Sequence, residues 1–476
     1  MRILNPIPAN DPSQLSWWQL DIAPARADMR PPLSGEVSFD VAIVGGGFTG
    51  LWTAITLKQR APRLRIAIIE AFRCGDGASS RNGGNVHGYW GALPTLVPLF
   101  GPDKAVEAAE LGTLAQKRLR DFARAPGRDV WWVEEGYLRV ATSETQMAKR
   151  DAFLKLARDL GVPDSVRALD RRELAEMCGS LRFLGGLFFK EGATVHPARL
   201  ADALRREALD LGVEIFENTP VQKIEKGPTV RIRCSTGSVV ARDVVLANYT
   251  GTMGLSSVAA ATTLFSSFPV MSAPNEVALE RMNYKVARGL ADLRMFTHYF
   301  RRTRDGRILM GSGSGPIALG AAHEAPELRI DARSCARAES GLKRFFPGMA
   351  EAGIAARWGW PIEVASDRLP FFGTVSGTRI HFGSGYSGHG VNATCIAGEC
   401  LASLVLNEKD RWYNSPFCQR ERVRFPPEPL RYIGGTMIRN AIVKCEDAED
   451  AGQPQPLLAR GIAEIPRVMG MRIGMR

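Results

Sequence analysis

The sequence predicts an α/β protein. It has a Rossmann-like domain built from discontinuous segments and an inserted α+β domain carrying an antiparallel sheet. Three observations predict it. Asp40 to Val44 is an apolar run that leads into Gly45-Gly-Gly-Phe-Thr-Gly50, with Glu70 closing a second apolar run twenty residues later. A further buried-strand pattern, Asp243-Val-Val-Leu-Ala247, and a glycine-rich stretch from His381 to Gly390 lie far down the chain. Between them, Met295 to Arg302 and Arg307 to Gly311 read as paired strands joined at Asp305-Gly306.

Residues 1–38 are proline-rich (Pro6, Pro8, Pro12), with Trp17 and Trp18 as anchors on the body. In the unit that follows, Gly45 permits the turn out of the strand. Gly47 admits a pyrophosphate, and Gly50 lets the helix pack on the strand. That helix is expected from Phe48 to Arg60, ended by Pro62, with Phe48 and Thr49 at its phosphate-binding start. Glu70 can accept from ribose hydroxyls, and an acid there argues against a 2′-phosphate, so against NADP.

Residues 73–95 read as a Gly/Ser/Asn loop. Helical spacing recurs over 104–124, 144–160, 198–211 and 334–346, with Asp170 as an N-cap before another short helix. Glu135 to Ala141 and Val213 to Glu217 read as strands, and 221–225, 229–234 and 238–241 as a small meander. Val391 to Leu406 is the helix after the last glycine turn. From Glu408 the chain reads as partly irregular. The expected division is 1–95, 186–255 and 356–410 for the nucleotide domain, 96–185 and 256–355 for the inserted domain, and 411–476 as an extension.

A chain of 476 residues with 45% hydrophobic and 23% charged residues is expected to be globular, with two or more domains. The net charge of +11 is scattered, without the basic run and interleaved aromatics of a nucleic-acid binder. No signal peptide and no run of eighteen apolar residues is evident. Eight cysteines without Cys-x-x-Cys spacing read as reduced thiols, and six scattered histidines offer no metal site, so the expected compartment is the cytoplasm.

Four separated motifs carry a resemblance. They are Asp40 to Leu51, Gly77-Ala-Ser-Ser-Arg-Asn-Gly-Gly84, Tyr299-Phe-Arg-Arg-Thr303 with Asp305-Gly-Arg-Ile-Leu, and Gly383-Ser-Gly-Tyr-Ser-Gly-His-Gly-Val391. In order and spacing they resemble the FAD-dependent amine and amino-acid oxidoreductases of the D-amino-acid oxidase superfamily, above all the γ-glutamylputrescine-oxidase-like branch, over about residues 15–410. The resemblance implies FAD. Gly45, Gly47, Phe48, Thr49, Gly50 and Glu70 would hold its ADP half. Ser79, Ser80, Arg81, Asn82, Gly83 and Gly84 would lie along pyrophosphate and flavin, although glycine is commoner at the Ser80 position. Val221 would meet the adenine side, with Ala247 also at the cofactor. Gly385, Tyr386, Ser387, Gly388, His389, Gly390 and Val391 would meet the pyrimidine edge.

The implied activity is oxidation of an amine or amino-acid C–N bond to an imine by hydride transfer to flavin N5, with O2 reoxidising the flavin to give H2O2. Two readings stand beside it: a dehydrogenase passing electrons to a quinone or carrier protein, and a non-catalytic flavin-binding protein. The resemblance implies that Arg301 faces the substrate cavity and holds a carboxylate, the alternative being a strand arginine that reaches solvent or pairs with an acid, and Arg302 exchanges roles if the register slips by one. His389 is expected at the flavin, in hydrogen bonding or proton relay. His87, Tyr89, Trp90, Trp358 and Trp360 are candidate walls, and Cys74 and Cys395 lie near cofactor segments where a covalent link is conceivable. The basic tail from Arg460, interrupted by Gly461 and Pro466, is expected to be docked or frayed, without a stable amphipathic helix.

Overall fold

The computed structural model describes residues 1, 4–9, 11, 14–23 and 28–468. Two large sheets organise the chain. The first has eight strands, and its main path runs Phe371–Thr374, Ile380–Ser384, Gly237–Leu246, Gly35–Val44, Ile66–Ile69, Glu214–Phe216. From Ile380–Ser384 to Glu214–Phe216 the neighbours are parallel. The apolar run at 41–44 follows from burial on both faces. Val41 and Ile43 join one core with Trp52 and Ile55, while Ala42 and Val44 join another with Val239 and Leu246. The helices Phe48–Arg60 and Gly390–Leu406 pack against each other over this sheet.

The chain at 237–246 departs from expectation. It is one strand, whereas the sequence divides it into a meander strand and a separate buried strand. Its first half pairs antiparallel with Val230–Cys234, and its whole length runs parallel to Gly35–Val44. The polar pair Arg242-Asp243 interrupts the apolar pattern. Asp243 nonetheless stays buried because Arg242 and Arg379 bind its carboxylate.

The second sheet has nine strands in the order Ile354–Arg357, Thr262–Ser272, Ile308–Ser312, His298–Arg302, Gly289–Asp292, Tyr137–Ala141, Gly185–Phe189, Arg167–Leu169. Trp360–Ala365 also pairs with Thr262–Ser272. It is antiparallel except between Gly289–Asp292 and Tyr137–Ala141. It takes in 186–189 and 360–365, which the sequence grouped with the nucleotide domain. Phe183, Phe300, Phe345 and Phe346 form its core under the Ala332–Phe345 helix.

Other differences concern loops. Residues 73–95 contain a 3₁₀ turn at Ala78–Ser80 and a strand at Asn85–His87 paired with Gly192–Thr194. Ile380–Ser384 is a strand, so the glycine turn begins only at Gly385. Beyond Glu408 two helices form, Leu430–Asp450 and Leu457–Val468, despite Gly434, Gly435, Gly461 and Pro466. Packing supports them where propensity does not: Ile438 and Ile442 meet Phe296, and Ile462 joins the same cluster. The rest of the basic tail, 469–476, lies outside the described residues. Among the described residues no helix is long and apolar enough to cross a membrane.

Candidate active site

A cavity of about 460 Å³ runs between the two sheets. Its nucleotide end is set by the turn after the Gly35–Val44 strand. Gly45 has φ +107°, and a Cβ there would lie 2.6 Å from the Ala247 carbonyl oxygen. A Cβ at Gly50 would collide with the Gly45 carbonyl, so the helix can start this close to the strand only with glycine. Phe48 N donates to Ser79 Oγ at 2.9 Å, which ties the second motif to the helix N-terminus. Glu70 lines the cavity and accepts from Gly46 N at 2.7 Å and Phe72 N at 3.0 Å. Burial raises its pKa. A carboxylate offers about four acceptor positions, more than its backbone donors use, as acceptance from ribose hydroxyls requires. Val221 and Ala247 line the same end.

The opposite end is built by the loop before the Gly390–Leu406 helix. Tyr386, Ser387, Gly388, His389, Gly390 and Val391 all line the cavity. Glu363 holds this loop from below. It accepts from Gly385 N at 2.8 Å and Ser384 Oγ at 2.7 Å, and burial pushes its carboxyl up to about 7. Thr49 Oγ1 donates to the Tyr386 hydroxyl at 2.7 Å, joining the first glycine motif to the last. His389 Nδ1 donates to Ser387 O at 2.8 Å, and its ring meets His87 edge-on at 5.1 Å. A Cβ at Gly390 would meet nothing within 4 Å, and one at Gly388 only Ile362 at 3.8 Å. The open space over a helix N-terminus suits an anionic ring edge. One cavity lined from Glu70 to Val391, the buried Glu70 and this open cradle fit FAD.

Beside this loop the cavity forms a chamber whose walls include Trp90, Tyr137 and Phe189, and Phe296 and Tyr299 also line it. Tyr137 packs on His87 at 4.9 Å. Glu191 lines the chamber, with Thr113 Oγ1 donating to its Oε2. Burial pushes its carboxyl up to about 7.

Four expected site residues do not line the cavity. Gly50 is taken up by helix–strand packing. Ser80 is buried, its carbonyl accepting from Ser16 Oγ at 2.6 Å. Gly385 faces Phe371 and Leu369. Arg301 is a correction of substance. Its side chain passes behind the Gly83–Gly84 turn, donating to Gly84 O at 2.9 Å and Val195 O at 2.7 Å over the Trp18 ring. The strand places Tyr299 at the wall instead, and Arg302 pairs with Glu276 at 2.7 Å.

Ser79, Arg81, Asn82, Gly83 and Gly84 do line the cavity. Asn82 is spent on folding the loop: its amide donates to Ser79 O at 2.9 Å and its Oδ1 accepts from Gly84 N at 2.8 Å. Arg81 stacks on Trp360 at 4.0 Å and donates to Ala9 O at 2.8 Å. His87, Tyr89, Trp90 and Trp360 are at the wall. Trp358 is off it, donating to Arg81 O at 2.8 Å, and neither Cys74 nor Cys395 reaches it. Residues the sequence did not single out include Leu4 to Ile7, Arg139, Asn248, Tyr249 and Arg368, all lining the cavity, and Glu363 beneath the loop. A charged residue in an otherwise apolar strand was the available signal for Arg139 and Glu363.

Residues 40–404 match the protein family described as FAD dependent oxidoreductase (DAO). A probable oxidoreductase, OrdL, of Haemophilus influenzae is 26% identical over 80% of this chain and 86% of its own. The γ-glutamylputrescine oxidoreductase of Escherichia coli K12 is 27% identical, with the same coverage of both chains. Among solved structures, glycine oxidase from Geobacillus kaustophilus superposes with a TM-score of 0.66 at 23% identity, covering 81% of this chain and 99% of that one. FAD is the cofactor that the cavity fits, and the chain belongs to the family of FAD-dependent oxidoreductases.

Proposed function

We propose that this protein oxidises the C–N bond of an amine or amino acid to an imine and passes the two electrons to O2, giving H2O2. One observation carries the reading: the nucleotide cavity opens without interruption into an aromatic chamber beside the Gly388–Val391 loop. Relatives named for γ-glutamylputrescine and for glycine support the substrate class. Bound FAD supplies the hydride acceptor and hands the electrons on. The chain supplies position and field. Trp90, Tyr137 and Phe189 exclude water and orient the donor carbon. The N-terminus of the Gly390–Leu406 helix stabilises negative charge at the loop by about 2–4 kcal/mol, as oxyanion-hole donors do. Glu191, which titrates near neutrality, can hold the amine or its proton at the chamber wall.

The test is an anaerobic absorbance titration of the yellow holoenzyme with a panel of amines and N-alkyl amino acids, then admission of air. Bleaching by one compound with rapid recovery in air supports an oxidase. Bleaching with slow recovery, and rapid recovery on adding a quinone, replaces it with a dehydrogenase. A flavin that no compound of a broad panel bleaches overturns the catalytic reading.

A further inference from the structure

Residues 4–9, Leu-Asn-Pro-Ile-Pro-Ala, precede the stretch matched to the family, 40–404, and belong to none of the four sequence motifs. They nevertheless wall the cofactor cavity: Leu4, Asn5, Pro6, Ile7 and Ala9 all line it. The local sequence suits that place. Asn5 and Ile7 each precede a proline, which biases both to extended backbone. Pro6 and Pro8 carry no N–H that would need a partner away from a sheet. Burial alternates along the segment, with Ile7 and Ala9 buried and Pro6 and Pro8 exposed.

Its anchors lie on both sheets. Leu4 packs in the core of the nucleotide sheet with Ile224, and Val221 packs against the same cluster. Ile7 and Ala9 pack with Trp360, the first residue of the Trp360–Ala365 strand of the second sheet, and with Phe72 and Ala78. Two carbonyls are tied as well. Arg81 donates to Ala9 O at 2.8 Å, and His323 Nε2 lies 2.8 Å from Asn5 O. A carbonyl only accepts, so Nε2 carries the proton. Nδ1, 2.9 Å from Thr250 Oγ1, is then the acceptor of a neutral ring, the form that burial favours. Thr250 and His323 line the cavity themselves.

We propose that residues 4–9 are part of the FAD site: a strap, latched by His323, that closes the nucleotide end of the cavity over the cofactor and sets how slowly it leaves. The proposal rests on FAD as the cofactor and not on the oxidase reading. Residues 4–9 add no strand or helix to either sheet, so loosening them eases escape of the ligand while the body stays folded. Coupling between cofactor and strap is reciprocal: if the strap retains FAD, bound FAD holds the strap closed.

The test reads FAD release from the full-length holoenzyme as the rise of free-flavin fluorescence after dilution. Ile7→Asn and His323→Ala should each release FAD at least tenfold faster. For Ile7→Asn the urea midpoint of the FAD-stripped protein should match the parent. His323→Gln, which keeps a donor for Asn5 O, should recover most of the retention. Release at the parent rate from both variants overturns the proposal. Faster release from Ile7→Asn with a lowered midpoint of the stripped protein also overturns it, because Ile7 would then be merely structural. The unaltered chain gives an independent check if a variant fails to fold. Hydroxyl-radical footprinting should oxidise Leu4 and Ile7 several-fold faster once FAD is stripped, and equal oxidation with and without FAD overturns the proposal. Failure of every amine to bleach the flavin would sink the oxidase reading and leave these measurements intact.

Discussion

Single side chains divide into those that touch the cavity and those that shape it. Gly47 belongs to the first group. Its backbone is ordinary, at φ −78°, and a Cβ there would press on Ser79 Oγ at 3.0 Å. Gly47→Val is therefore expected to fold but purify without yellow colour, read as the ratio of flavin to protein absorbance; a normally yellow variant would remove Gly47 from the cofactor site. Arg301 belongs to the second group. Arg301→Ala leaves the buried carbonyl of Val195 without its donor, at about 1–3 kcal/mol, while Gly84 O keeps its bond from Val195 N. The expected outcome is a lower urea midpoint and faster FAD loss, with carboxylate affinity of the remaining holoenzyme unchanged. Unaltered stability with weakened carboxylate binding would return Arg301 to the substrate. Alternation along the strand puts Arg301 on the face that Tyr299 shares, and the family pattern pointed that face at the substrate. Neither could show that a distant turn, Gly83–Gly84, slides between the guanidinium and the cavity.

Elements whose signal is local were legible. The Phe48–Arg60 helix, the Asp170 N-cap and the antiparallel pair around Asp305-Gly306 form where sequence spacing puts them. The C-terminal helices were not, because glycines and a proline mask them and their support is tertiary. That support reaches the chamber. Glu446 on Leu430–Asp450 accepts from Met295 N at 3.0 Å and Phe296 N at 3.1 Å, and both residues line the cavity. Glu446→Ala should cost about 2 kcal/mol through those two unsatisfied donors. It should also raise the KM of any substrate found by the bleaching panel several-fold, with FAD retained. Kinetics identical to the parent would detach the helix from the chamber wall.

Buried carboxyls couple the whole molecule to pH. Burial pushes Glu191, Glu363 and Glu446 up to about 7 from an ordinary 4.5. Between those values the folded chain binds more protons than the unfolded one, so their contribution to stability falls as pH rises from about 4.5 to about 7. Asp243, held down at about 2 by His381 and its arginines, acts in the opposite sense and only below its ordinary 3.8. Across the upper window the unfolding temperature should fall with rising pH, and Glu363→Gln should flatten that slope. A scanning-fluorimetry series in which the variant and parent slopes agree would refute the role of Glu363. The sequence by itself determined the β-α-β nucleotide unit, the interrupted plan of the domains and the FAD family, because these depend on residues close together whose spacing is read directly. Only the tertiary structure decided which arginines line the cavity, that Glu363 braces the last glycine loop and that the C-terminal helices clasp the wall. Those outcomes depend on which distant segment occupies the space beside a side chain, and no local spacing encodes that.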